Sequence, residues 1–195
     1  MRDKHGQPLV LERWYTVAHR LPSLQTCVRT DASPFGMGAV LFQFGWPIAW
    51  IALDWSEEDL FFLQAQKGDP AWQAEWELFA VLIAVDTWLA NLKGQSTFLM
   101  QTDATAALFA AARLAGRTPA MNLLAVELAV RLESAQVGLA PEHLRGTLNV
   151  ECDALSRLSQ GAKVPDRLRH VPRSSPRPRS QAFFWVHSLA QSTKK

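Results

Sequence analysis

Five side chains in this sequence are of types that could do chemistry together: Asp31, Glu77, Asp103 and Asp153, with His143 between the last two. Glu77 carries the sharpest signal. It is the only charged residue between Trp76 and Val85, in the run Trp-Glu-Leu-Phe-Ala-Val-Leu-Ile-Ala-Val. A helix this apolar is buried, and a buried carboxylate is costly unless it is paired or holds a metal. An arginine partner, or a helix edge facing water, would also account for it. Glu75 is the rival acid, but a rotation of about 100° per residue puts the two on different helix faces. Asp31 and Asp103 each close a β-favouring run. Asp153 follows Asn149, a plausible N-cap, by about one turn, where compensation of the helix dipole is the ordinary role of an acid. A lone histidine in a loop is ordinarily a solvated side chain. The interest lies in the order and placement of all five.

The elements that must position these residues are legible. Leu24 to Thr30 alternates apolar positions and ends at Asp31-Ala32-Ser33-Pro34, a turn signal. Gly38 to Phe44 and Ile48 to Leu53 read as two further strands joined tightly at Gly45-Trp46-Pro47, which predicts an antiparallel meander. Pro70 to Leu92 reads as one long helix with Trp72, Trp76, Phe79 and Ile83 on a stripe, stopped by Gly94. A strand over Thr97 to Gln101, helices over Ala104 to Leu114 and Ala120 to Ser134, a strand over Val137 to Leu144 and a helix over Val150 to Leu158 complete a β-β-β-α-β-α-α-β-α order. A meander followed by strand-helix alternation implies an α/β fold, a mixed sheet with helices on its faces. A right-handed crossover through the long helix lets the fourth strand lie parallel to the first. Asp31 and Asp103 then emerge at the same carboxyl edge, where open α/β sheets bind ligands.

Composition narrows the class. At 195 residues and 48% apolar, the chain can bury a substantial core. No apolar run approaches the roughly 20 residues of a membrane helix, and Met1-Arg2-Asp3-Lys4 leads into no hydrophobic signal region, so an intracellular protein, cytoplasmic or nuclear, is expected. Two cysteines, Cys27 and Cys152, cannot build a disulfide framework or a four-thiolate zinc site, and both are expected to be small buried fillers. The tryptophans at 72, 76 and 88 are spaced as core residues of one helix. The net charge of +2 conceals a division: residues 1–162 hold 12 basic and 17 acidic side chains, net −5, and residues 163–195 hold 8 and 1, net +7. Near-neutrality is therefore no argument against a polyanion partner. Prolines at 165, 172, 176 and 178 among Arg and Ser predict a flexible basic tail over 161–195. Within it Phe183-Phe184-Trp185-Val186 is either a docking segment or part of a disordered end.

In order along the chain, Thr30-Asp31-Ala32-Ser33 with Gly36-Met37-Gly38-Ala39-Val40-Leu41, Glu77-Leu78-Phe79-Ala80, Thr102-Asp103 with Ala107-Leu108, and His143, Asn149 and Asp153 with Ala154-Leu155-Ser156-Arg157 resemble the motifs of the ribonuclease H domain, in particular the version attached to retroelement reverse transcriptases. The resemblance spans about residues 24–160. It implies a ribonuclease H-like fold, with a five-stranded sheet of three antiparallel and two further parallel strands, in a domain of residues 23–160. It also implies a metal-dependent endonuclease that hydrolyses the RNA strand of RNA/DNA hybrids. Two Mg²⁺ ions, or Mn²⁺, are the implied cofactors, since two ions about 4 Å apart can activate water and stabilise both attacking and leaving oxygens. Asp31 would bridge both ions, Glu77 and Asp103 would serve the nucleophile side or position substrate, and Asp153 would complete the second site. His143, on a mobile loop, would shuttle a proton or help product leave. Ser33, Gly36 and Asn149 stand where hybrid contacts are implied.

The implied partners are the hybrid and an upstream polymerase domain, of which residues 1–22, including Arg13-Trp14-Tyr15, would be the remnant; no membrane and no small-molecule cofactor are expected. Between 104 and 136 only Arg113, Arg117 and Arg131 are basic, with no basic insertion, so the tail is expected to share in binding hybrid. Two other readings stand beside this one. An inactive module on the same fold would bind nucleic acid or protein without cutting. A DNA-cutting nuclease or integrase on the same architecture, which ordinarily places its last Glu on the terminal helix, is disfavoured by the position of Glu77 on the long helix and by the His143 loop.

Overall fold

The structure, a computed structural model, describes residues 25–179 together with Phe183 and Phe184. Three strands, β1 (Thr26–Ser33), β2 (Gly36–Gln43) and β3 (Trp46–Asp54), form the expected meander. They are followed by α1 (Glu57–Leu63), α2 (Gln73–Thr87), α3 (Leu89–Leu92), β4 (Thr97–Thr102), α4 (Thr105–Arg113), α5 (Pro119–Ala135), β5 (Gly138–His143) and α6 (Val150–Ser156). The sheet order is β3-β2-β1-β4-β5, with antiparallel pairs in the meander and parallel pairs β1–β4 and β4–β5. Cys27 pairs with Leu99, Val28 with Met100 and Arg29 with Gln101. Continued two residues, that register brings Asp31 level with Asp103, as the crossover argument requires.

The long helix is not continuous. Asp69 accepts from Ala71 N at the start of a 3-10 turn over Pro70–Trp72, and α2 begins only at Gln73. It ends where Thr87 Oγ1 bonds back to Ile83 O and Trp88 leaves helical geometry (φ −104°, ψ 16°), so Leu89–Leu92 is a separate turn. The helix α1 lies in a stretch with no expected element. Ser56 caps Asp59 N while Asp59 accepts from Ser56 N, a reciprocal capping box.

Between the sheet and α2, α4 and α5 lies the main core, which buries every residue of α2 from Glu75 to Val85. Trp76 and Trp88 are in it and Trp72 packs partly buried against it, as their spacing predicts. A smaller core on the opposite sheet face joins Val40, Phe42, Trp50 and Ala52 to Cys152, Leu155 and Leu168. Cys27 is half-buried and Cys152 buried, and burial pushes the Cys27 thiol up to about 12 and Cys152 in the same direction. Neither is a reactive thiolate.

Residues 163–179 do not form the flexible arm that their composition predicts. Trp50 N donates to Pro172 O and Ser174 N to Trp50 O, extending the free edge of β3. Arg173 donates to Ala52 O, Arg177 to Asp86 and Arg179 to Asp59. None of these ties needs an N–H from a proline, and Pro172 takes part through its carbonyl. Phe183 and Phe184 enter the main core beside Phe79, so that part of the docking segment returns to the body. Trp185 and Val186, like residues 1–22, lie outside the described residues. No helix among the described residues is long and apolar enough to cross a membrane.

Candidate metal centre

Asp31 sits two residues before the end of β1, Asp103 just past β4, and Glu77 one turn into α2, which packs across β1. One carboxylate oxygen from each lies within 4.8 Å of the other two. Glu75 faces elsewhere, accepting from Thr118 Oγ1 at 2.7 Å, so the helical rotation separates the two glutamates as expected.

Around this trio the hydrogen bonds are few and directed. Gln73 Nε2 donates to Glu77 Oε1 at 2.9 Å and to Ala32 O at 2.7 Å, tying the helix acid to the strand beside Asp31. Glu77 Oε2 is buried and has no partner. Ser156 Oγ donates to Asp31 Oδ2 at 2.7 Å. The turn Gly146–Leu148 abuts Asp103: a Cβ on Gly146 would stand 2.8 Å from Asp103 Oδ2, so a side chain there would push on the carboxylate.

Burial pushes Asp31 up to about 7, assisted by the charges of Asp103 and Asp153 and opposed by the Ser156 hydrogen bond and Arg157. Glu77 moves the same way, well above the ordinary carboxyl range, through burial and then the charge of Asp31, against the bond from Gln73. Two acids that resist ionisation, with an orphan oxygen between strand ends, form a site that a hard divalent cation would satisfy. The donor set is all oxygen, as Mg²⁺ or Mn²⁺ requires.

The other expected residues divide. Asp153 is near enough to influence Asp31, but its half-exposed carboxylate accepts from Arg157 Nε at 2.9 Å and stands outside the trio. His143 is exposed and is not on a loop: it ends β5, in register with Thr102, next to Asp103. Ser33 is buried, donating to Ser156 O and accepting from the amides of Phe35 and Gly36. Gly36 is buried too, and a Cβ there would stand 2.4 Å from Leu53 O, so it serves the close approach of β2 and β3. Asn149 occupies the N-cap position of α6 without capping it; its Nδ2 donates to Thr30 O at 2.9 Å, pinning α6 to β1. These three shape the edge instead of presenting side chains at its surface. Arg131, one of the three basic residues between 104 and 136, is fully buried, bonded to Asp86, Glu127 and Phe183 O.

Gln73, Ser156 and Arg157 are the site residues that sequence reasoning did not assign roles to. The signal was present: Gln73 precedes Glu77 by four residues, and Ser156 and Arg157 follow Asp153 by three and four, the helical neighbour spacings.

Solved structures that resemble this one include two ribonuclease H domains. RNase H1 from the halophilic archaeon Halobacterium salinarum NRC-1 superimposes with a TM-score of 0.52 over 70% of this chain and 98% of its own, at 14% identity. The N-terminal RNase H domain of Rv2228c from Mycobacterium tuberculosis, solved as a fusion with maltose-binding protein, gives 0.51 over 67% and 94%, also at 14% identity. The chain has a ribonuclease H-like fold. No protein-family model and no curated protein matches the sequence. The acids of the ribonuclease H-like sheet thus stand at its carboxyl edge, on strands one and four and on the helix that crosses between them.

Proposed function

We propose that this chain is a metal-dependent endonuclease that hydrolyses the RNA strand of RNA/DNA hybrids, the ribonuclease H activity of a retroelement reverse transcriptase. The observation that carries the reading is the convergence of Asp31, Glu77 and Asp103 within 4.8 Å, with Glu77 Oε2 buried and unpartnered. The fold supports it, and the motif resemblance supports the retroelement context, including an upstream polymerase domain as partner.

Asp31, Glu77 and Asp103 would hold the cations, and Asp153 would join them once released from Arg157. Two Mg²⁺ ions, or Mn²⁺, would supply Lewis acidity at the scissile phosphate and a more acidic water for attack. Gln73 and Ser156 keep two of the carboxylates oriented. Burial of Glu77 and Asp31 keeps bulk water from competing for their oxygens. His143, exposed at the same edge, moves a proton or releases product. Ser33, Gly36 and Asn149 set the contour against which the hybrid's grooves fit.

The test is a panel of end-labelled RNA/DNA hybrid, duplex RNA, single-stranded RNA and duplex DNA with Mg²⁺ or Mn²⁺. Cleavage confined to the hybrid supports the proposal, and cleavage of duplex DNA overturns it. One observation favours a second reading, a module that binds without cutting: the Asp153–Arg157 pair. Hybrid binding with no cleavage in either metal would select it.

A further inference from the structure

Ser156 is the last residue of α6, 1% exposed, and its hydroxyl has one proton and two acceptors within reach. One is Asp31 Oδ2, on β1, at 2.7 Å; the other is Asp153 O, one turn back in its own helix, at 2.9 Å. The carboxylate is closer and, when ionised, the stronger acceptor. The Ser156 backbone is itself held from below, because Ser33 Oγ donates to Ser156 O at 2.9 Å. Beneath the same helix, Gly38 lets α6 approach β2 so closely that a Cβ would stand 2.3 Å from Cys152 O and 2.4 Å from Leu155 Cβ. Ser156 therefore cannot drift away from Asp31 without lifting the helix.

We infer that Ser156 is a positioning residue for the metal centre: its hydroxyl fixes the orientation of the Asp31 carboxylate toward Glu77 and Asp103 and ties that orientation to the helix carrying Asp153. The inference rests on the reading of the acids as a cation site. A carboxylate turns about one soft torsion, and a single charge-assisted hydrogen bond in a buried setting is enough to select one orientation. Among the described residues Asp31 accepts from no other side chain, so no second side-chain donor replaces Ser156 when it is lost. When a cation takes the Asp31 charge, Asp153 O offers the hydroxyl a second acceptor, so the proton is not orphaned as the site fills.

The experiment is direct Mn²⁺ binding to the full chain, by calorimetry and by the electron paramagnetic resonance of free Mn²⁺, for the native protein, Ser156→Ala and Ser156→Thr. Native protein binds; Ser156→Ala binds about tenfold more weakly, the factor equivalent to roughly 1.4 kcal/mol, and Ser156→Thr recovers most of the loss. Should the alanine variant not fold, Ser156→Thr and Ser156→Val, alike in shape and differing in the hydroxyl, decide the matter by the same comparison. Equal Mn²⁺ affinity with and without the hydroxyl overturns the role of Ser156 and leaves the cation site standing, even if thermal stability falls. Failure of the native protein to bind Mn²⁺ overturns the cation site and the positioning role together.

Discussion

Arg157 Nε lies 2.9 Å from Asp153 Oδ1, so the fourth acid of the sheet edge is paired with a cation of its own helix, one turn on. Both side chains are half-exposed, and such pairs contribute about 0.2–1 kcal/mol. A divalent cation can displace an interaction of that size. Arg157→Ala is therefore expected to strengthen binding of a second Mn²⁺ about threefold, measured by calorimetry. Weaker binding would mean that Arg157 organises Asp153 for the ion instead of competing with it.

The pH dependence of the metal-free protein has a definite sign. Asp31 moves from an ordinary 3.8 to about 7 in the fold, and Glu77 moves the same way. An acid with a raised folded-state pKa costs nothing while protonated in both states, and costs progressively more as pH climbs from the unfolded to the folded value. With chelator present, the contribution of these acids should therefore lower the thermal midpoint between pH 4 and 7. Asp31→Asn should flatten that fall and raise the midpoint at pH 8 by about 5 °C. Mg²⁺ should stabilise the native protein at pH 8 and leave the variant nearly unchanged, as scanning calorimetry can record.

At Gly38 the backbone of β2 lies directly against α6. Gly38→Ala should cost about 2–3 kcal/mol in urea unfolding, because the added methyl meets a backbone carbonyl and cannot be relieved by a side-chain rotation. The helix must lift, and Mn²⁺ affinity should fall with it through Ser156 and Asp153.

The C-terminal segment belongs to the fold's stability. Phe183→Ala should cost about 3–4 kcal/mol, since its ring is buried against Phe79 and under the guanidinium of buried Arg131. Deleting residues 163–195 should lower the thermal midpoint by more than 10 °C, so any loss of hybrid binding in that deletion reports unfolding first. A deletion with native stability would contradict this.

The fold was legible because its strongest patterns are local. The alternation in β1, the glycine turn at Gly45 before β3 and the apolar run of α2 from Leu78 to Val85 each specify an element without reference to the rest. Asp31, Glu77 and Asp103 were legible for a related reason: each sits at the end of, or alone within, an element whose direction the topology sets. What escaped was set by tertiary contact. The short α1 is carried by a capping box at Ser56–Asp59 too brief to stand out. The ordering of residues 163–179 depends on the free edge of β3 and on Asp59 and Asp86, 90 or more residues away, which composition cannot report. Asn149 looks like a cap in sequence, yet its amide reaches Thr30 on β1. Asp153 looks like the fourth ligand, yet Arg157 has its carboxylate.

The central claim is that Asp31, Glu77 and Asp103 form a cation site that cuts RNA in a hybrid. The most direct measurement is the rate of hybrid cleavage across a Mg²⁺ titration for the native chain and for Glu77→Gln, a change that keeps the shape and the Gln73 neighbour. The native rate should rise from zero with Mg²⁺ and vanish with chelator, and Glu77→Gln, folded and at least as heat-stable without metal, should be slower by a factor of about 100 or more. Native-like cleavage by Glu77→Gln, or cleavage that persists in chelator, would contradict the account.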